Sequence, residues 1–313
     1  MISTITLNAS IDKAYKIPST LVTGQVTRVA SCTDNAGGKG LNAARGIMAC
    51  GEEVIASGFI GGNNGNLICE LLDKDGVNHD FVQVESETRC CINICDPQGT
   101  STELLEPGRI VTSDEINKFL KKLDHLIQIS DIITFNGSLP YGMKDDAYKE
   151  MIKRVKDAGK PCILDTSSNR LIEGIKSKPT MIKPNTDEIG QIVGRKVTTL
   201  TEVAAAAKEL HKQGIEKVVV SLGSKGAIMA CNSGVYKGTT AKIEAVNPVG
   251  SGDTMVGAFA VGILRGLNDA DQLKYAMSCA TANCIHPKTG YFEASVAQKL
   301  YEQTIVEKIG YEN

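Results

Sequence analysis

Lys217-Val218-Val219-Val220-Ser221-Leu222 decides the fold. A run this apolar has no side to offer to water, which is the condition of a central strand in a parallel sheet covered on both faces. Gly214 stands just before it and Gly223-Ser224-Lys225-Gly226 just after, so the chain turns at both ends. Working upstream, residues 201–213 read as a helix with Thr201 as cap and Gly214 as stop. Before it come a strand near 180–183, a short helix, a strand at 161–165 and a helix over 144–158 ended by Gly159. Asp131-Ile132-Ile133-Thr134-Phe135 is another buried strand. Ile116, Phe119, Leu120, Leu123 and Ile127 form one face of a helix that Ser113 is placed to cap. Downstream, helices are expected over roughly 252–266 and 269–285. Strand and helix alternating with short Gly, Pro and Asn punctuation predicts an α/β fold with a mostly parallel sheet under helices.

The first hundred residues follow a different rhythm. Met1 to Leu7 read as a strand, without the basic start and long apolar stretch of a signal peptide. Residues 11–17, 26–34, 89–95 and 101–105 read as short strands with polar and apolar residues alternating, interleaved with helices at about 39–50 and 64–74. Strands that leave the main sheet in this way predict a small β lid over one edge.

Composition narrows the function. The chain has 313 residues, room for one large domain with a small appendage. Lys and Arg number 34 against 36 Asp and Glu, a net charge of −2, which gives no support to a nucleic-acid or membrane-surface binder. No apolar run approaches the ~20 residues of a membrane span. The 10 cysteines include no CxxC pair, and the 4 histidines are scattered, so the thiols read as small core residues in a reducing cytoplasm.

Four junctions, each where a strand hands over to a helix or turn, could carry chemistry, because ligands of open α/β sheets bind at that edge. In Ala36-Gly37-Gly38-Lys39-Gly40 the paired glycines allow close backbone approach and the helix start offers N–H groups to an anion. A flexible turn explains the glycine pair equally well, and Gly40 after Lys39 excludes a P-loop. Gly137-Ser138-Leu139-Pro140 reads alone as a tight turn. In Lys183-Pro184-Asn185-Thr186-Asp187-Glu188 the acids suit a helix N-terminus, and they also make an oxygen-rich corner able to hold hydrated Mg²⁺. Asn247-Pro248-Val249-Gly250-Ser251-Gly252-Asp253-Thr254 is the most telling. Gly250, Ser251 and Gly252 present successive N–H groups as an anion hole, yet Asp253 would repel an anion. The conflict resolves if that carboxylate serves a substrate hydroxyl.

In this order the junctions resemble the ribokinase-like PfkB family of sugar kinases, over essentially the whole chain. Thr6-Leu7-Asn8-Ala9-Ser10-Ile11-Asp12 is similar to the TLNPxxD opening of the family's phosphosugar branch. GGKG at 37–40 with Asn42, Glu87-Thr88-Arg89, GSLP at 137–140, KPNxxE at 183–188, SLGxxG at 221–226 and GSGD at 250–253 all match. Ala56 to Gly62, Asn247 to Asp253 and Thr289-Gly290-Tyr291 look most like the tagatose-6-phosphate kinases of that branch, with the fructose-1-phosphate kinases (1-phosphofructokinases) close by. Three residues depart from the pattern: Ala9 in place of Pro, Ser251 in place of Ala, and Asn136 where a small residue is usual before GSLP.

The resemblance implies a three-layer αβα sandwich with a β lid, in a single kinase domain over 1–313, and an ATP- and Mg²⁺-dependent phosphotransferase. Asp253 would be the base, with Gly250, Ser251 and Gly252 as the anion hole. Asn185 and Glu188 would position Mg²⁺ through water. Lys183, Asn185, Ser221, Gly223 and Gly226 would line the nucleotide phosphates, with Asn283 near the adenine. Asp12 would hold sugar hydroxyls, helped by Gly38, Asn42 and Ser138, while Lys39 and Arg89 would pair with the phosphate already on the sugar. The implied substrate is D-tagatose 6-phosphate, with fructose 1-phosphate or fructose 6-phosphate as alternatives. Exposed lid edges would favour a homodimer. Two other classes are weighed against this. A dehydrogenase needs an early GxGxxG, which residues 1–60 lack, and a non-catalytic sugar-phosphate sensor has no use for Asp253.

Overall fold

Val218, Val219 and Val220 are all buried and divide between two cores, Val219 facing one and its neighbours the other. The strand they form lies inside a large sheet with helices on both faces. The computed structural model describes residues 1–310, so the last three residues of the expected domain lie outside the description.

In chain order the first half comprises β1 (Ile2–Thr6), β2 (Ser10–Lys16), β3 (Ser31–Gly37), α1 (Lys39–Ala49), β4 (Val54–Ile60), α2 (Gly62–Asp75), β5 (Asn78–His79), β6 (Val82–Gln83), β7 (Arg89–Cys95), β8 (Ser101–Leu105), α3 (Ser113–Ile129) and β9 (Ile132–Asn136). The second half runs through α4 (Ala147–Asp157), β10 (Cys162–Asp165), α5 (Ser168–Gly174), β11 (Met181–Ile182), α6 (Thr186–Val193), α7 (Leu200–Lys212), β12 (Lys217–Ser221), β13 (Ala227–Cys231), β14 (Gly234–Thr239), α8 (Ser251–Leu264), α9 (Asp269–Cys284), α10 (Ala294–Gln303) and β15 (Ile305–Lys308).

The large sheet has the order β15-β14-β13-β12-β11-β10-β9-β1-β4-β5, with β6 also paired to β4. From β12 to β5 neighbouring strands are parallel, while β12 through β15 pair antiparallel. One core holds Leu41 and Ile47 of α1, Ile68 of α2, Val256 of α8, Met277 of α9 and Leu300 of α10. The other holds Phe119 of α3, Ile152 of α4, Leu171 of α5, Ile189 of α6 and Leu210 of α7. This is the three-layer αβα sandwich. A separate four-stranded sheet, β3-β2-β7-β8, completes it.

Several boundaries differ from expectation. Thr112 caps α3 instead of Ser113, and Thr199 caps α7 instead of Thr201. In each case a Glu three residues on, Glu115 or Glu202, returns the hydrogen bond to complete a capping box, a reciprocal fit that outcompetes a cap one or two residues later. The strand expected at 26–34 runs over Ser31–Gly37, paired from Lys16↔Ser31 to Ser10↔Gly37, and Val26 before it is exposed. The β13–β14 hairpin, α10 and β15 carried no expectation. Ala227-Ile228-Met229-Ala230-Cys231 has one β-branched residue, a weak strand signal despite complete burial. Of the cysteines expected in the core, Cys91, Cys162, Cys231 and Cys279 are buried, whereas Cys32 is exposed and the others are intermediate. No helix among the described residues is long and apolar enough to cross a membrane.

Candidate active site

The parallel strands deliver their chemistry to one edge. β1 ends at Thr6, β9 at Asn136, β10 at Asp165 and β12 at Ser221, while Lys183 follows β11. Along this edge α1 begins at Lys39, α6 at Thr186 and α8 at Ser251. α1 packs along α8, so the two helix starts face each other. That packing brings Asn42 Nδ2 to Asp253 Oδ2 at 2.8 Å, with Asn42 as donor.

Asp253 sits in the first turn of α8, half-buried. Burial pushes its carboxyl above the ordinary range, and Asp165 adds to the rise, against the opposing influence of Lys39, Asn42 and Lys183. A carboxylate so raised is a better proton acceptor than an exposed one. Gly250 caps the helix in the left-handed conformation, φ 80°. The 247–250 loop is tied down by the Asn247 amide, which donates to Pro287 O and Thr289 Oγ1. The helical ladder starts with Thr254 N–H on Gly250 O, and Ser251 N–H closes a turn on Pro248 O at 3.3 Å. Of the three N–H groups expected to form an anion hole, that of Ser251 is already taken by Pro248 O, whereas those of Gly252 and its neighbour Asp253, in the first turn, have no acceptor within the helix and are free for an anion.

Two lysines near the start of α8 share one acid. Lys39 Nζ lies 3.4 Å from Asp165 Oδ2, and Lys183 Nζ lies 3.4 Å from Asp165 Oδ1. Asp165 is 2% exposed. Burial alone would raise its carboxyl, but Lys183 and Lys39 outweigh burial and hold it below the usual range. Asp165 in turn raises Lys39, as do Asp253 and Glu188, so Lys39 stays charged within reach of all three carboxylates. A methyl group placed on Gly252 would meet Lys183 Nζ at 3.3 Å, so that ammonium lies beside the start of α8. Sequence reading missed Asp165. Its one signal is an acid at the carboxyl end of a buried strand, and its partners lie far away in sequence.

Asn185 and Glu188 cap α6 reciprocally: Asn185 Oδ1 accepts from Glu188 N–H at 2.8 Å, and Glu188 Oε2 accepts from Asn185 N–H at 2.9 Å. Among the described residues no group of three or more His, Cys, Asp or Glu side chains forms a cage for a metal. Such a sparse oxygen set fits Mg²⁺, which keeps several of its waters and leans on one or two carboxylates plus substrate phosphates. Asn185 and Glu188 are the residues that would hold it.

Among the residues expected at the sugar, Asp12 of β2 accepts from Ser10 Oγ at 2.6 Å, and burial raises its carboxyl. Gly37, paired with Ser10 on the neighbouring strand β3, lies under the Asp12 side chain, and an added Cβ there would lie 2.1 Å from Asp12 Cγ. Gly38 caps α1, next to Lys39. Arg89 donates from Nε and Nη2 to Asn8 O and from Nη1 to Glu106 O. Asn8 Nδ2 donates to Ser138 Oγ at 2.9 Å, joining GSLP to the same cluster. Arg89 and Arg109 line one small cavity, and Arg109 is a second guanidinium that sequence reading did not single out.

Among the residues expected at the nucleotide, Ser221 N–H at the end of β12 donates to Pro184 O in the loop after β11. Gly223 opens the turn that Gly226 closes. Asn283, expected near the adenine, is instead fully buried, and its amide donates to Lys288 O and Tyr291 O. In this structure it braces the 286–291 turn.

The pattern of the pfkB family carbohydrate kinases matches residues 5–294. The chain is 38% identical over 306 residues to the tagatose-6-phosphate kinase of Staphylococcus epidermidis, covering 97% of this chain and 98% of that one. Its fold superposes on phosphofructokinase-2 from Escherichia coli with a TM-score of 0.90 at 26% identity, covering 96% of this chain and 98% of that one. A protein of Thermotoga maritima described as a possible 1-phosphofructokinase gives 0.90 at 25% identity, covering 99% and 100%. The fold is ribokinase-like, and the family pattern makes the chain a carbohydrate kinase. The chain belongs to the PfkB family of carbohydrate kinases, and it is an ATP-dependent kinase of that family's phosphosugar branch.

Proposed function

We propose that the chain transfers the terminal phosphoryl group of ATP to the 1-hydroxyl of D-tagatose 6-phosphate, giving tagatose 1,6-bisphosphate and ADP. The observation that carries this reading is the half-buried Asp253 carboxylate at the mouth of α8, beside two lysines and the first-turn N–H groups. The likeness to a tagatose-6-phosphate kinase supports the substrate.

In this reading Asp253 takes the hydroxyl proton as the sugar oxygen attacks the γ-phosphorus. The bond to the β–γ bridging oxygen breaks, and ADP leaves with that oxygen. Lys39, expected to pair with the sugar's own phosphate, lies instead with Lys183 on Asp165 and within the influence of Asp253, so in this reading it joins Lys183 and the N–H groups of Gly252 and Asp253 in neutralising charge on the group in flight, and catalysis is mostly positioning and electrostatics. Mg²⁺ held through Asn185 and Glu188 would supply further neutralisation of the nucleotide phosphates. Ser221, Gly223 and Gly226 line those phosphates. Asp12, Asn42 and Ser138 orient the sugar, and Arg89 with Arg109 pairs with its 6-phosphate.

A second reading, phosphorylation of fructose 1-phosphate or fructose 6-phosphate, is favoured by the phosphofructokinase neighbours. Comparing kcat/KM for the three sugar phosphates with ATP and Mg²⁺ decides between them. The proposal expects tagatose 6-phosphate to lead, and a clear lead by either fructose phosphate overturns it.

The small sheet acts in this proposal as a lid on a single kinase domain, and the protein works in the cytoplasm, where ATP is supplied. Leu104 and Leu105 on edge strand β8 are 55% and 63% exposed, which supports pairing of two lids in a homodimer. Light scattering in solution tests it, and a monomer at all concentrations excludes it.

A further inference from the structure

We infer that Arg45 is a positioning residue for phosphoryl transfer, acting through Asn42 on Asp253 and held in place by Asp75 and Lys288. Arg45 lies three residues after Asn42 on α1, so the two share a helix face. Its side chain is 4% exposed and every branch of it is engaged. Nη1 donates to Asn42 Oδ1 at 3.1 Å, Nη2 to Ala36 O at 2.7 Å, and Nε to Asp75 Oδ2 at 2.6 Å. The other Asp75 oxygen, Oδ1, accepts from Lys288 Nζ.

The chemistry of the amide gives this arrangement its purpose. An Asn side chain has one accepting end and one donating end, and a guanidinium can only donate. Arg45 therefore claims Oδ1 and leaves Nδ2 for the Asp253 carboxylate. With Arg45 gone, the amide can turn over and set Oδ1 against the carboxylate, oxygen against oxygen.

Asp75 is not there for the sake of its own helix. It is the last residue of α2, where the helix dipole disfavours an acid. Burial raises its carboxyl, yet Lys288 and Arg45 bring it below the usual range. Lys288 belongs to the turn that carries Thr289 and Gly290. A Cβ on Gly290 would lie 2.8 Å from Asn42 O, and one on Gly250 would lie 2.6 Å from Thr289 Cγ2. The chain Lys288–Asp75–Arg45–Asn42 thus clamps this turn between the start of α1 and the anion-hole loop.

The inference rests on Asp253 being the base, and a double-mutant cycle separates the two. Arg45→Met is measured alone and in an Asn42→Ala background, with kcat and both KM values. Alone it should lower kcat by roughly tenfold or more while KM for ATP moves less than about twofold, the mark of lost orientation. In the Asn42→Ala background it should add less than about twofold, because the residue it acts through is gone. Full additivity, or an unchanged kcat in the folded single variant, overturns the inference. If Arg45→Met does not fold, Arg45→Lys and Asp75→Asn enter the same cycle, since lysine cannot supply the fork. If Asp253→Asn keeps wild-type kcat, the base assignment fails. If Asp253→Asn is inactive and Arg45 variants are additive with Asn42→Ala, only the role of Arg45 fails.

Discussion

Asn42 and Asp253, 211 residues apart in sequence, meet in a 2.8 Å hydrogen bond across the facing starts of α1 and α8. The amide donates to the carboxylate and so favours its charged form, while burial favours the neutral one. Burial prevails, so the carboxyl holds a proton more readily than an exposed one and is still oriented, as the proposed role of base requires.

Asp253→Asn preserves shape and removes the proton acceptor. The variant should fold and bind ATP, with kcat reduced by about 10²–10⁴-fold, the usual loss for a positioned base. A coupled ADP assay measures it, and turnover near the wild-type rate would remove Asp253 from its role.

The sign of the pH dependence follows from the same carboxyl. A base works deprotonated, so activity is complete above its pKa and is lost as pH falls through it. Because burial raises Asp253, the acid limb of the kcat/KM profile should lie above the ordinary carboxylate value of about 4. Asn42→Ala, by removing a donor to the charged form, should move that limb to higher pH. A limb that stays in place in this variant would show that another group controls it.

Arg89→Ala should raise KM for the sugar phosphate far more than KM for ATP. The guanidinium anchors Asn8 and, with Arg109, lines the cavity proposed to take the sugar's phosphate. Steady-state kinetics with each substrate varied in turn checks this, and the reverse pattern places Arg89 elsewhere.

Gly37→Ala tests the seat of Asp12. The new methyl group would overlap Asp12 Cγ, and the carboxylate, held at present by Ser10, has to swing away. KM for the sugar phosphate should rise several-fold while the melting temperature changes little, because the group that yields is a side chain and not the backbone. A large loss of melting temperature with unchanged KM would contradict this.

How much of this was legible in the sequence depended on distance. Val218 to Val220 announce a strand buried on both faces because the signal is local and continuous. The junction glycines and Asp253 are readable for the same reason, each being a short motif at a strand end. Asp165 was missed because what sets it apart is the pair of lysines that converge on it, Lys183 from beyond the next strand and Lys39 from 126 residues away in the chain. Arg109 was missed likewise, since nothing beside it in sequence shows that it shares a cavity with Arg89. The burial of Asn283 was hidden in the same way, since it depends on how α9 packs and on the 286–291 turn that its amide braces.

Asp165 between Lys39 and Lys183 has a consequence for ionic strength. The cleft carries its own resident counter-anion, so an arriving triphosphate exchanges partners with a carboxylate and displaces few ions from the surrounding solution. Nucleotide affinity should therefore decline only gently with added salt, less than two unneutralised lysines would dictate, and replacing Asp165 with Asn should make that decline steeper.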